Sequence, residues 1–450
     1  MDCAHPYPLR AAVAAIVAGC AFFTTAAGQV EHVRAKTQSS APTAGPSASG
    51  DVEAAFAQVK VLTASGDAFL EASQHASAEA AYAEAVRLAE QYGGRESERV
   101  LAPLLGLSNT LAGSGHHEEA IPRLQRALAM QRARYGLFDV RQQDTLKTLA
   151  ASLTALDRKP EAQDLMIYRA RVAEKTYGEA DVKVVPALCD LGDWFAETGK
   201  SPEADMTFKT ALNIVVSQRS SNDLLTVEPL RGIARTYMRR QSYPDAWLYP
   251  PSPPGCSAPG QECLPPYRMD GKGKRIVGPR KLDPEGEHAL QRALRIIEAD
   301  LGASTQARIE TLIQLGDWYQ IKKSPREALP YYQRALQLIG TAPTSSGTAA
   351  TTLDIPVRIY YPMPEIVAHV PTAPLAEIRS HHVQIDFTVA ADGSVSDARI
   401  VDHDTRDRYA DDILDAMRAA RFRPKFVDGQ AVAVPGMSYR EVFWTAKSRT

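Results

Sequence analysis

Alanine stands at positions 78, 120, 162, 204 and 246, and each step is 42 residues. The residues around these alanines repeat in the same frame. Leu188, Leu191, Gly192 and Phe195 are followed by Ala204, Phe208 and Ala211, and Leu312, Leu315, Gly316 and Tyr319 by Ala328, Tyr332 and Ala335. The frame recurs at Leu62, Gly66, Phe69, Ala78, Tyr82 and Ala85, and at Leu104, Leu107, Leu111, Ala120, Leu124 and Ala127. Large apolar residues at helical spacing fill a seam between paired helices, and a small residue sits where two backbones approach closely. A unit of that size cannot bury its apolar face alone. The pattern therefore demands a stack of helical hairpins in place of one round core.

This spacing resembles that of tetratricopeptide repeats, in the longer-helix variety of kinesin light chain and related proteins. The resemblance covers residues 51–340 and implies six helix pairs curved around a groove that binds other proteins. The fifth repeat is interrupted. Leu230, Ile233, Ala234 and Tyr237 give its first helix, but after Ala246 the chain enters Pro250, Pro251, Pro253 and Pro254, which forbid a continuing helix. The frame resumes at Asp283, Pro284 and Glu285, with Gly286, Leu290 and Ala293, so a proline-rich insertion occupies about 247–283. Cys256 and Cys263 bracket a turn-rich loop within it and are expected to form a disulfide in an oxidising compartment. Cys189 falls in an apolar helical pattern and reads as a buried small hydrophobe.

Residues 1–10 are polar and end in Arg10, and Ala11–Gly28 carries no charge, which is an export pattern. Three fates of residues 1–28 are compatible with it. Cleavage near Ala26–Gly28 gives a free exported protein, Val17–Cys20 gives a lipoprotein with Cys20 as the lipid-bearing residue, and retention gives an inner-membrane anchor. In each case the remainder is exported, to the periplasm or to a membrane of the cell envelope. Residues 29–50 and 341–354, rich in Ser, Pro, Ala, Thr and Gly, read as flexible linkers.

Past residue 354 the periodicity changes. Val383, Ile385, Phe387 and Val389 alternate with polar residues, as in a half-buried strand. Asp392–Gly393 marks a hairpin into Val395–Val401, and Tyr409, Ile413, Ala416, Met417 and Ala420 share one helical face. An Asp428–Gly429 turn precedes a last strand, Ser438–Thr445. The unit is a small α+β fold of order β-β-α-β, so the whole chain is multidomain, an all-α solenoid followed by an α+β domain at 355–450.

Tyr361–Pro362, the alternating strand, the Asp392–Gly393 hairpin, the stretch Arg418–Pro424, the Asp428–Gly429 turn and Phe443 in the last strand together resemble the C-terminal domain of the TonB energy-transducer family. The resemblance implies capture of an extended segment of an outer-membrane receptor by strand addition, and coupling to an ExbB/ExbD-type motor if residues 1–28 are an anchor. The physical basis is β-augmentation, in which an edge strand offers unpaired N–H and C=O groups. The candidate edge is Ser438, Tyr439, Arg440, Glu441, Val442, Phe443 and Trp444. The other reading is a periplasmic or lipid-anchored repeat adaptor without energy coupling.

A second candidate surface lies on the repeats. Arg231, Arg235 and Arg239 are four apart and share one helical face at groove positions. They form either a clamp for an acidic or carboxylate-bearing peptide, or, with Asp193 and Asp317, an internal ion-pair ladder. No phosphate-cradling loop, metalloprotease motif or nucleophile elbow occurs, so no catalytic residue, metal site or cofactor is assigned. Asp402, His403 and Asp404 could ligate a metal on paper but read as a solvated turn, and His116–His117 and His381–His382 as ordinary polar positions. With 51 Lys and Arg against 53 Asp and Glu, no global field favours nucleic acid.

Overall fold

The computed structural model describes residues 46–242, 282–300, 302–341, 353–368 and 378–446. The chain divides after Glu53. Residues 46–53 are helical, and the architecture below is that of residues 54–450.

Twelve helices pair among the described residues. They are α1 (Pro46–Glu71) with α2 (His75–Gly93), α3 (Glu98–Gly113) with α4 (His117–Tyr135), and α5 (Gln143–Ala155) with α6 (Lys159–Tyr177). The series continues with α7 (Val185–Glu197) and α8 (Ser201–Gln218), α9 (Val227–Ser242) and α10 (Pro284–Ala299), and α11 (Thr305–Ile321) and α12 (Pro325–Thr341). Although 41 residues separate α9 from α10, the two pack as a hairpin. The insertion with Cys256 and Cys263 lies outside the described residues, as does segment 1–28 with Cys20. Among the described residues no helix is long and apolar enough to cross a membrane.

Local chemistry sets the helix boundaries with the same period. Gly94, Gly136 and Gly178 close α2, α4 and α6 at φ 81°, 93° and 99° with ψ of 162°, 170° and 144°, a region open almost only to glycine. Short 3₁₀ turns then lead into α5, α7 and α9. Each is started by an aspartate, Asp139, Asp181 or Asp223, whose carboxylate accepts the backbone N–H two residues on at 2.8–2.9 Å.

Aromatic rings wedge between successive repeats. Tyr82 of α2 is buried against Gly66 of α1 and Gly106 of α3, where an added Cβ would lie 2.6 and 2.4 Å from the ring. Phe208 of α8 sits in the same way between Gly192 of α7 and Gly232 of α9. One continuous core runs from Ala78 to Ala335, and Leu353 and Phe426 from the C-terminal domain join it.

Among the described residues the C-terminal domain has seven strands: β1 (Val357–Tyr360), β2 (Ile378–Val389), β3 (Val395–His403), β4 (Arg421–Arg423), β5 (Lys425–Val427), β6 (Gln430–Val432) and β7 (Val434–Ala446). An antiparallel sheet of order β3-β2-β7 carries helix α13 (Asp407–Ala419) on one face. There Ala410, Ile413, Leu414 and Met417 bury against Val383, Ile385, Phe387 and Phe443. β1 pairs with β4, and β5 with β6 through a tight turn at Asp428 (φ 49°) and Gly429 (φ 75°).

The structure amends the sequence reading in three places. Four short strands, β1, β4, β5 and β6, accompany the β-β-α-β core. The last strand starts at Val434, four residues before Ser438. The linker stretches are shorter at their ends, because helix α1 reaches back to Pro46 and Leu353 is buried, its carbonyl accepting the Phe426 N–H at 2.9 Å.

Candidate partner-binding surfaces

β7 is an outer strand of its sheet. It pairs with β2 residue for residue from Ile378↔Ala446 to Phe387↔Met437, and the register slips only beyond Phe387. Alternation sends Met437, Tyr439, Glu441 and Phe443 toward the helix layer, where Phe443 is fully buried. Ser438, Arg440, Val442 and Trp444 face the opposite side, and Val442 and Trp444 are exposed at 42% and 46%. The seven residues read as an edge therefore divide into two faces. Tyr439 is held by the Arg358 guanidinium 4.3 Å from its ring centroid and by Tyr361 in edge contact at 6.0 Å.

The opposite outer strand is different. β3 slips register twice against β2, has Asp397 at φ 54°, and ends at an acidic corner. There His382 Nε2 contacts Asp402 Oδ2 at 2.8 Å, and Asp404 accepts the His382 backbone N–H at 2.6 Å. These contacts hold the carboxyls of Asp402 and Asp404 below the usual aspartate range. Bulges and charges discourage further pairing along this edge. No group of three His, Cys, Asp or Glu side chains among the described residues is placed to hold a metal ion.

On the repeats, Arg231, Arg235 and Arg239 of α9 are all paired. Arg235 donates to Asp193 of α7 at 2.7 and 3.0 Å and to Glu228 at 2.7 Å. Burial opposes its charge, but Glu228 and Asp193 more than offset this and keep the guanidinium protonated. Arg231 reaches Glu310 of α11 at 2.7 Å and Glu228 at 3.0 Å, and Arg239 lies 3.6 Å from Glu197. The series Asp193, Arg235, Glu228, Arg231, Glu310 ties three groove helices together, so these guanidiniums already have carboxylate partners.

One member of the expected ladder is elsewhere. Asp317 does not pair with Arg235; it takes a two-point contact from Arg423 of β4, at 2.9 Å from Nε and 2.6 Å from the terminal nitrogen. The Tyr332 hydroxyl donates to the same carboxylate at 2.8 Å. Arg423 and Asp317 are both buried, which makes this short, planar pairing the preferred one, while Glu310 is the carboxylate within reach of Arg231. The role of Arg423 was not legible from sequence, since its partner lies 106 positions away. The sequence carries no local signal for it, because Arg423 is one of four basic residues from Arg418 to Lys425.

The family model described as tetratricopeptide repeat matches residues 58–133, within α1–α4. Residues 58–133 match that repeat family, and the helix pairs that follow form a TPR-like solenoid. Repeats of this kind imply protein–protein interaction, and a small β-rich region follows them. No curated protein matches the chain. Similar solved structures include the nearly identical TPR-like repeats of a Podosopora anserina putative kinesin light chain, 14% identical, covering 55% of this chain and 99% of that one with a TM-score of 0.41. BtubC (BKLC) from P. vanneervenii is 15% identical, covering 63% of this chain and 91% of that one with a TM-score of 0.38. A Rap protein complexed with competence and sporulation factor is 14% identical, covering 63% and 75% with a TM-score of 0.33.

Proposed function

We propose that this chain is an exported cell-envelope adaptor whose C-terminal domain, of TonB type, captures an extended segment of an outer-membrane receptor by adding it to strand β7. The observation that carries the reading is the β7 edge. It is outermost in its sheet, in continuous register with β2 over ten residues, and flanked on its open face by exposed Val442 and Trp444. Main-chain N–H and C=O groups along such an edge supply affinity, and alternate side chains supply selectivity. The repeats bring a second envelope protein to the same molecule. Participation in TonB-dependent transport follows if residues 1–28 remain as an anchor that meets an ExbB/ExbD-type motor; without the anchor the chain is an adaptor with no energy coupling.

The test is site-specific photocrosslinking in the native host, with a photoreactive residue at Trp444 and, as control, at Val216 on the solenoid. Crosslinking of an outer-membrane receptor from Trp444 and not from Val216 supports the reading. The absence of any receptor adduct at Trp444, or equal adducts at both positions, refutes it. Intact mass of the protein from separated periplasmic and membrane fractions decides between anchor, lipoprotein and cleaved forms.

A further inference from the structure

We propose that the C-terminal domain is the end cap of the repeat solenoid, taking the place of a seventh repeat and filling the groove at the last two repeats. The solenoid groove and the β7 edge are then presented to partners as one rigid unit.

The argument starts from the aromatic wedges. Tyr82 and Phe208 are each closed on both sides, by a glycine in the first helix of their own repeat and by a glycine in the first helix of the next one. Tyr332 occupies the same place in the last repeat. Gly316 of α11 closes one side, where an added Cβ would lie 2.4 Å from the ring. Among the described residues no further repeat closes the other, yet Tyr332 is completely buried. The C-terminal domain covers it: the Phe426 ring lies 5.8 Å away, and Arg423 reaches past it to Asp317. Solenoids need a terminal element that covers the last hydrophobic face, and here that element is a domain of different fold.

Three further contacts fix the cap. Leu353 and Phe426 belong to the solenoid core. Gly393 (φ 80°) lies so close to Gln320 of α11 and to the Phe422 carbonyl that any Cβ would meet them at 3.0 and 2.2 Å. β1 packs on α9 and α11, two first helices of their repeats. The first-helix face at repeats five and six is thus occupied in cis, and a partner is left the faces of α1, α3, α5 and α7.

The experiment is hydrogen exchange by mass spectrometry on the full chain, comparing wild type with Asp317→Asn, Arg423→Met and the double variant. Breaking one partner of a buried ion pair exposes the other uncompensated. Asp317→Asn is therefore expected to speed exchange in β1 and β4 at least tenfold, although the substitution lies in a solenoid helix. Arg423→Met is expected to speed exchange in α11 and α12 by a similar factor, and the double variant to fall short of the two effects combined. Changes confined to the domain that carries each substitution would overturn the proposal. If Arg423→Met unfolds its own domain, Asp317→Asn still decides, because it leaves every atom of that domain in place. Peptide capture plays no part in the measurement, so the cap and the β7 reading can fail separately.

Discussion

Replacing glycine by alanine inside a helix ordinarily stabilises it by about 1 kcal/mol, because alanine loses less backbone entropy on folding. Gly232 should do the opposite. A Cβ built on it would stand 2.2, 2.4 and 2.5 Å from three atoms of the Phe208 ring, far inside the ~3.5 Å at which carbon atoms attract. The ring is fully buried and is held on its other face by Gly192, where a Cβ would come within 2.8 Å. It cannot retreat, so repeats four and five must separate. Overpacking of this kind costs about 1–3 kcal/mol, and three contacts this short put Gly232→Ala at the upper end. After the helical gain is subtracted, the net destabilisation is about 2 kcal/mol. Gly113, the last residue of α3, has nothing within 4 Å of its added Cβ, and Gly113→Ala should be neutral or stabilise by up to about 1 kcal/mol. Urea unfolding followed by far-ultraviolet circular dichroism compares the two, and Phe208→Leu in the Gly232→Ala background should recover part of the loss. Equal stabilisation by both alanines would refute the wedge as the device that sets repeat spacing.

Other outcomes follow from the same contacts. Arg235→Ala should lower stability by about 1–2 kcal/mol, a value below that of a fully buried pair because Asp193 and Glu228 are partly exposed; unchanged melting with lost partner binding would instead identify a clamp. Burial pushes the Glu287 carboxyl up, but the Tyr319 hydroxyl at 2.8 Å and Lys322 at 3.1 Å more than offset this and leave it below its ordinary value. Its contribution is therefore present above the unfolded value of about 4.3 and lost as pH falls through the lower folded value. Glu287→Gln should flatten the acid limb of a stability–pH curve below about pH 5, and an unaltered limb would show that the contact is not made. Tyr332→Phe should cost about 1 kcal/mol by leaving the Asp317 carboxylate one donor short, measured against Tyr82→Phe, which loses the equivalent bond to Asp67.

The sequence by itself determined the repeat. Small residues at 42-residue intervals and apolar residues at helical spacing are local requirements of two helices packed side by side, so they can be read along the chain. The same holds for the alternating strand at Val383–Val389 and the turns at Gly393 and Gly429, where backbone geometry selects the residue type. The helix ends carry the same period in Asp139, Asp181 and Asp223 and in Gly94, Gly136 and Gly178, but their meaning came only with the structure, which shows the exposed backbone groups they satisfy. Only the tertiary structure decided where the charges went. A carboxylate such as Asp317 is equally compatible with Arg235 or with Arg423 when sequence alone is considered, because ion pairing has no period and its partner is set by which surfaces meet. The same holds for the strand edge. A last strand at Ser438–Thr445 was legible in the sequence, but the outermost place of β7 depends on its continuous pairing with β2 residues 50 to 68 positions away, and the junction that binds this domain to the last repeat on a contact 106 positions apart.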